Sequence, residues 1–429
     1  MKLSVRFQSS LITFAIASLL LLAWQESSLA QSERTGQHDS HHAHGAASPQ
    51  MTPLTTPKGP CQDQTLNCAR AATPAFAPDG SLWLVWSGGG VVSASKSTDF
   101  GKSFAPAIEI AKHETFLDTG PDARPSLVID KDYNIAIAYA FFKDKQWNAQ
   151  ANITTSTDQG KTFAPAHAIV NDPASQRFPS LTLTPEGKLF ATWIDKRLVT
   201  AAKKQGKPAE GGSIAYAWSN NMGGTFDPEQ ISEPSSCECC RIAVGLNKTN
   251  LPVLVYRANF NGTTRDHASQ LFDAPNKPGT SRHIADDNWV TNSCPHHGPA
   301  VAVSGQGTLH TAWFTQGSTR SGTFYARSTD DGRHYSNPIQ LGSNDSLSGR
   351  PYLLAAGRSV WLVWKNFDGK QASIWLQTSA DDGISWTAPR QIAQSAGYTD
   401  HPLLVTHDQH VYLSWLTAAK GYQLQQIEN

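Results

Sequence analysis

The chain reads as an all-β protein, a β-propeller of four-stranded blades, because two repeats run through it in register. In the first, a Pro or its stand-in precedes by 12 to 14 residues an aromatic that closes an apolar run. The pairs are Pro74/Trp86, Pro125/Tyr139, Pro179/Trp193, Ile242/Tyr256, Pro299/Trp313, Pro351/Trp364 and Pro402/Trp415. The aromatics recur every 51 to 63 residues, too long a period for a helical hairpin and right for a blade. One blade cannot bury both faces of its sheet, so such units stack around an axis. The second repeat has the form Ser-x-Asp-x-Gly-x-x-aromatic. It occurs at Ser97–Phe104, Ser156–Phe163, Ser219–Phe226 (with Asn221 for Asp), Ser328–Tyr335 and Ser379–Trp386. Its chemistry is that of a turn: the Asp or Asn accepts from its own loop, Gly takes a positive φ, and the aromatic plugs a sheet interface. Seven unit starts predict seven blades, with six as the alternative if the first and last units share one.

Taken in order, the chain opens with an export signal over residues 1–30. Lys2 and Arg6 precede an apolar stretch from Leu11 to Trp24, and Ser28-Leu29-Ala30 has the small residues of a cleavage site. The mature protein is expected to be periplasmic or secreted, starting near Gln31, and no later segment offers an integral membrane span. Residues 31–70 form a polar leader carrying His38, His41, His42 and His44, a composition that fits a flexible segment. Residues 71–429 are the propeller. Each unit starts with a short strand such as Pro179-Ser180-Leu181-Thr182-Leu183 and makes a tight turn (Pro78-Asp79-Gly80, Pro185-Glu186-Gly187). The second strand ends in the aromatic, the third runs into the Ser-x-Asp turn, and a fourth such as Ala107-Ile108-Glu109-Ile110 completes the sheet. The last unit reaches Asn429 about where its fourth strand is due, so residues between about 50 and 72 are expected to close the ring. Lys plus Arg equals Asp plus Glu, 35 each, and that balance speaks against a nucleic-acid partner or an anionic membrane surface.

The Ser-x-Asp turns resemble the Asp box of sialidase-like propellers, whose usual ring has six blades, and the resemblance covers the chain after residue 70. In that architecture the loops entering the first strand and leaving the second of each blade share one mouth. This gathers Arg124, Arg177, Arg241, Arg257, Arg350 and His401 as candidate ligands for a carboxylate or other oxyanion, since each guanidinium can donate a planar fork. The alternative is that they pair with Asp122, Glu238 and Asp400. The resemblance implies an arginine cluster, a Tyr nucleophile polarised by a Glu, and an Asp acid/base. Arg177-Phe178-Pro179 and Arg124-Pro125 look like the family's Arg-Ile-Pro segment, and Arg350 substitutes for a third arginine. Glu238 with Tyr256-Arg257 is similar to the Glu and second arginine, and Gly397-Tyr398-Thr399-Asp400 to the nucleophile segment. Asp144 and Asp195 are the candidate acids. Such a hydrolase needs no cofactor, and its partner is a small anionic sugar or glycoconjugate.

Two cysteine segments carry a competing reading. Cys237-Glu238-Cys239-Cys240-Arg241 and Cys294-Pro295-His296-His297-Gly298-Pro299 open adjacent units on the same mouth. With Asp286-Asp287 upstream of Trp289, the pattern resembles a subgroup of exported sialidase-like proteins. In an exported chain six cysteines suggest three disulfides, Cys61 with Cys68 among them. Cys239 and Cys240 are neighbours, which makes two good bridges difficult. The other use is a Cu or Zn site built from Cys237, Cys239, Cys240, Cys294, His296 and His297. A non-enzymatic interaction scaffold is the third reading.

Overall fold

The computed structural model describes residues 66–209, 211–342 and 347–428. The export signal, the leader histidines and Cys61 lie outside the described residues. The propeller has seven blades, each an antiparallel sheet. The third shows the plan: Gln176–Leu183, Leu189–Asp195, Gly212–Ser219 and Gln230–Ser236, hydrogen-bonded in chain order. The first strands of the other blades are Ala72–Phe76, Ser126–Ile129, Ala243–Leu246, Ala300–Val303, Leu347–Ala356 and Leu403–His407. These innermost strands touch one another in sequence, and Leu403–His407 meets Ala72–Phe76 to close the circle. Side chains stitch them together: Thr73 Oγ1 donates to the Pro125 carbonyl (2.6 Å) and Ser180 Oγ to the Ile242 carbonyl (3.0 Å).

The blades adhere through apolar clusters, one at each interface among the described residues. Ala138, Ile153, Trp193 and Ala215 join blades two and three; Phe178, Tyr216, Tyr256 and Phe272 join three and four. All seven repeat aromatics, from Trp86 to Trp415, are buried. The period read from the sequence is therefore the spacing of these plugs.

The Ser-x-Asp turns have the geometry their residues predict. In the first, Ser97 Oγ donates to Asp99 (2.7 Å) and accepts from Gly101 N (2.8 Å), while Asp99 accepts from Ser103 N (2.9 Å). Phe100 and Gly101 both take positive φ, 57° and 78°. In the second turn Gly160 lies against Trp83 of the preceding blade, so that a Cβ there would stand 2.2 Å from the indole. The turn thus fastens one blade to its neighbour.

Most of the segment expected to close the ring, residues 50–65, lies outside the described residues. Residues 66–68 form a 3₁₀ turn, and the last blade has three strands among the described residues, Leu403–His407, His410–Thr417 and Gly421–Ile427. Leu66 and Ala69 pack with Trp86 and Tyr422 between the last blade and the first. A helix, Arg197–Lys204, fills the loop after the second strand of blade three, where a run of Leu, Ala and Lys favours helix over extended chain. Among the described residues no helix is long and apolar enough to cross a membrane.

Candidate functional site

The seven positions that open the repeat line a single axial cavity. Pro74, Pro125, Pro179, Ile242, Pro299, Pro351 and Pro402 all face it, and its volume is about 250 Å³. Because every blade contributes its first strand to the axis, a residue just before that strand lands on the rim whatever its distance in sequence. Arg124, Arg241 and His401 reach the cavity in this way, with Asp122 and Tyr352 beside them.

Carboxylates tie most of this rim together. Arg124 forks onto Asp400 (2.7 and 3.3 Å) and donates to the carbonyls of Pro121 and Ala72. Arg350 pairs with Asp122 and reaches the His296 carbonyl. Arg177 forks onto Asp118 (2.7 and 2.8 Å), with its guanidinium 4.5 Å from the Phe178 ring centre. Arg241 is the exception. The residue is partly exposed but its Nη1 is buried, an Asp122 oxygen stands 3.6 Å from that nitrogen, and the nitrogen has no hydrogen-bond partner. His401 Nδ1, also buried, has none either. Burial and the charges of Arg350, Arg124, Arg241 and Lys365 hold the His401 imidazole well below its ordinary pKa, so this ring is neutral. Burial likewise brings Lys365 down to about 8, its ammonium donating to the Thr399 carbonyl at 3.0 Å.

Charges around this cavity do not balance. Arg124 and Arg241 line it, Arg350 and Lys365 act with them on the His401 imidazole, and Asp122 and Asp400 are their carboxylates, four cations to two among the described residues. Partly buried charge without a counter-charge is costly, and a small anion at the rim would offset it.

The residues of the hydrolase that the resemblance implied each have partners of their own. Tyr398 donates its hydroxyl to the Arg70 carbonyl at 2.6 Å, while Glu238 pairs with Lys196 at 2.7 Å. Burial and the Asp400 carboxylate push the Tyr398 hydroxyl up, the opposite of what an attacking phenolate needs. Asp144 is a turn residue, accepting from the backbone of Gln146 and Asn148 and from the Asn148 amide. Asp195 is fully buried between Trp193 Nε1 and a forked Arg197. Arg257 is not a ligand arm. It is buried on the carbonyls of Arg265, His297 and Phe314, with its guanidinium 4.4 Å from the Trp289 ring centre, so it props the loop that carries His296.

The cysteine segments do converge. Cys68 is disulfide-bonded, but Cys237, Cys239, Cys240 and Cys294 are free thiols, against the disulfides expected of them. Cys237 Sγ lies 3.3 Å from Cys239 Sγ and 3.6 Å from Cys240 Sγ. These three form one donor group, and Cys239, Cys294 and His296 form a second, each with its atoms within 4.8 Å of one another. His297 belongs to neither; its ring stacks on Phe314 with centres 4.1 Å apart.

Some important positions were not visible as such. Asp118 is the partner of Arg177 from 59 residues away, and no local pattern marks it. Tyr352 follows Pro351 and lines the cavity; its place beside a blade start was the available signal. His267 stands opposite Arg257 in the strand pair and is buried near the Cys240 thiol.

No family model matches this chain, and no curated protein matches it. Solved structures do. The polysaccharide lyase Uly1 aligns with a TM-score of 0.53 at 11% identity, covering 92% of this chain and 92% of that one. An ulvan lyase bound to -[GlcA(1-4)Rha3S]- has a TM-score of 0.53 at 10% identity, over 84% of this chain and 94% of its own. A Hadza microbial sialidase has a TM-score of 0.50 at 12% identity, over 84% of this chain and 66% of its own. At such identities the likeness is one of fold.

Proposed function

We propose that this propeller binds a small anionic sugar, or the acidic end of a glycoconjugate, at its axial mouth, and that it does so without hydrolysing it. One observation carries the reading: four partly buried cations gather against two carboxylates, and Nη1 of Arg241, a residue that lines the cavity, has no hydrogen-bond partner. A guanidinium in that position supplies a directed donor to a carboxylate or sulfate oxygen. The cavity lies just below the usual range for ligand pockets of about 300–1,000 Å³, so it suits a single sugar acid. The neighbouring Arg124 and Arg350 are held by Asp400 and Asp122, which presets the rim before the ligand arrives. The fold is one that the lyases and the sialidase named above also use, which agrees with a sugar partner. Transit across the inner membrane, followed by work in the periplasm or outside the cell, belongs to the same reading.

Calorimetric titration with N-acetylneuraminate and with glucuronate, each against its neutral sugar, tests this. Binding of at least one acid is expected, with affinity reduced about tenfold or more, roughly 1.4 kcal/mol, by Arg241→Met. Equal affinity for acid and neutral sugars removes the anion reading. Release of free sialic acid from a fluorogenic sialoside, abolished by Tyr398→Phe, would reinstate hydrolysis.

A further inference from the structure

Two loops of the mouth present sulfur. Cys237, Cys239 and Cys240 occupy the tight turn between Gln230–Ser236 and Ala243–Leu246, and the turn is anchored by Cys237 N donating to the Arg257 carbonyl at 2.9 Å. Cys294 and His296 lie in the loop that leads into Ala300–Val303 of the next blade, where His296 takes φ of 50°. The first three thiols are almost fully buried, and Cys294 is exposed. Buried cysteines with structural roles normally sit among apolar side chains. Here three of them form a cluster of their own, with two guanidiniums nearby: Arg257 acts on Cys237 and Cys240, Arg177 on Cys239 and Cys294. Cations in those places offset the charge of ligating thiolates.

The way the donors group selects the ion. A tetrahedral zinc site needs four donors mutually about 3.8 Å apart, given Zn–S bonds of about 2.3 Å. Among the described residues these donors meet in threes, and no four lie mutually within 4.8 Å. Three soft donors satisfy Cu(I), which thiolates favour. Cys239 belongs to both groups.

We propose that this mouth is a thiolate site for Cu(I), holding two ions that share Cys239: one with Cys237 and Cys240, the other with Cys294 and His296. Each ligating thiol gives its proton to solvent as the Cu–S bond forms, and copper stays Cu(I) throughout, so no oxidant or reductant takes part. Arg257 is a positioning residue: its guanidinium donates to the His297 carbonyl of one loop, and its own carbonyl accepts from Cys237 N of the other.

The test is an anaerobic titration of the reduced full chain with Cu(I), in competition with bathocuproine disulfonate. The chain with all four cysteines changed to serine gives the background from His38, His41, His42 and His44. About two Cu(I) per chain above that background are expected, falling to less than one in Cys239→Ser. Cys294→Ala and Cys240→Ala should each retain about one. X-ray absorption should show a copper–copper vector in the wild type that disappears in Cys294→Ala. Cys294 is exposed, so its variant keeps the fold and the outcome stays readable even if Cys239→Ser unfolds. One tightly held zinc using all four cysteines overturns the proposal. So do no binding above background, an undiminished stoichiometry in Cys294→Ala, or a protein isolated with these cysteines bridged in disulfides.

Discussion

Lys365 shows how one residue reports on the mouth. Its ammonium is buried beside Arg350, and burial has brought its pKa from 10.5 to about 8. Folding therefore disfavours its proton. Between pH 8 and 10.5 the unfolded chain holds more protons than the folded one, so stability rises with pH across that window. Anion binding runs the other way. The affinity for a sugar acid is expected to be constant below about pH 8 and to fall as the Lys365 proton leaves above it. Titrations from pH 6.5 to 9.5 check this, and the slope should vanish in Lys365→Met. A flat profile in the wild type would take Lys365 out of the site. The residue types at the rim were visible in the sequence as basic groups beside blade starts. Their pairing was not: Arg177 with Asp118 and Arg124 with Asp400 join positions 59 and 276 residues apart.

The turn after the third strand is the element that converts a local pattern into packing. Its Ser and Asp satisfy the loop backbone, and its Gly permits contact with the preceding blade. That last role differs among glycines that share a positive φ. At Gly160, with φ of 78°, a Cβ would collide with Trp83, whereas at Gly187, with φ of 85°, nothing lies within 4 Å. Gly160→Ala is expected to cost about 2–4 kcal/mol, combining a left-handed backbone with overpacking. Gly187→Ala should cost only about 1 kcal/mol, from the backbone alone. Urea unfolding of the two variants distinguishes the contributions; equal losses would mean that the turn does not bear on its neighbour. These turns were legible because Ser, Asp, Gly and an aromatic at fixed offsets have few other uses. The Arg197–Lys204 helix was not, since its run is too short to display a helical period.

For the whole molecule, stability depends on closing the circle. The last blade meets the first through Leu416 and Tyr422 against Ala72, Leu84 and Trp86, with Leu66 and Ala69 added from the segment before the first strand. That segment also gives the Arg70 carbonyl to Tyr398. Deleting the chain through Ala69 is expected to remove about 2–3 kcal/mol of buried apolar contact, lowering the thermal midpoint by several degrees. An unchanged midpoint in calorimetry would show that the ring closes without it. The expected fourth strand was an inference from the plan of the other blades; residues 50–65 lie outside the described residues, and among those described a 3₁₀ turn packs between the last blade and the first.

Sequence alone determined the propeller and favoured seven blades over six, because a repeated sheet must bury both faces and so writes its period into the chain. Tertiary structure decided what the rim can do. It gave Tyr398 and Glu238 separate partners, paired most of the arginines, left Arg241 lining the cavity, and brought thiols from two blades together. Distance between side chains on different blades is set by how the blades stack, and no local pattern encodes it.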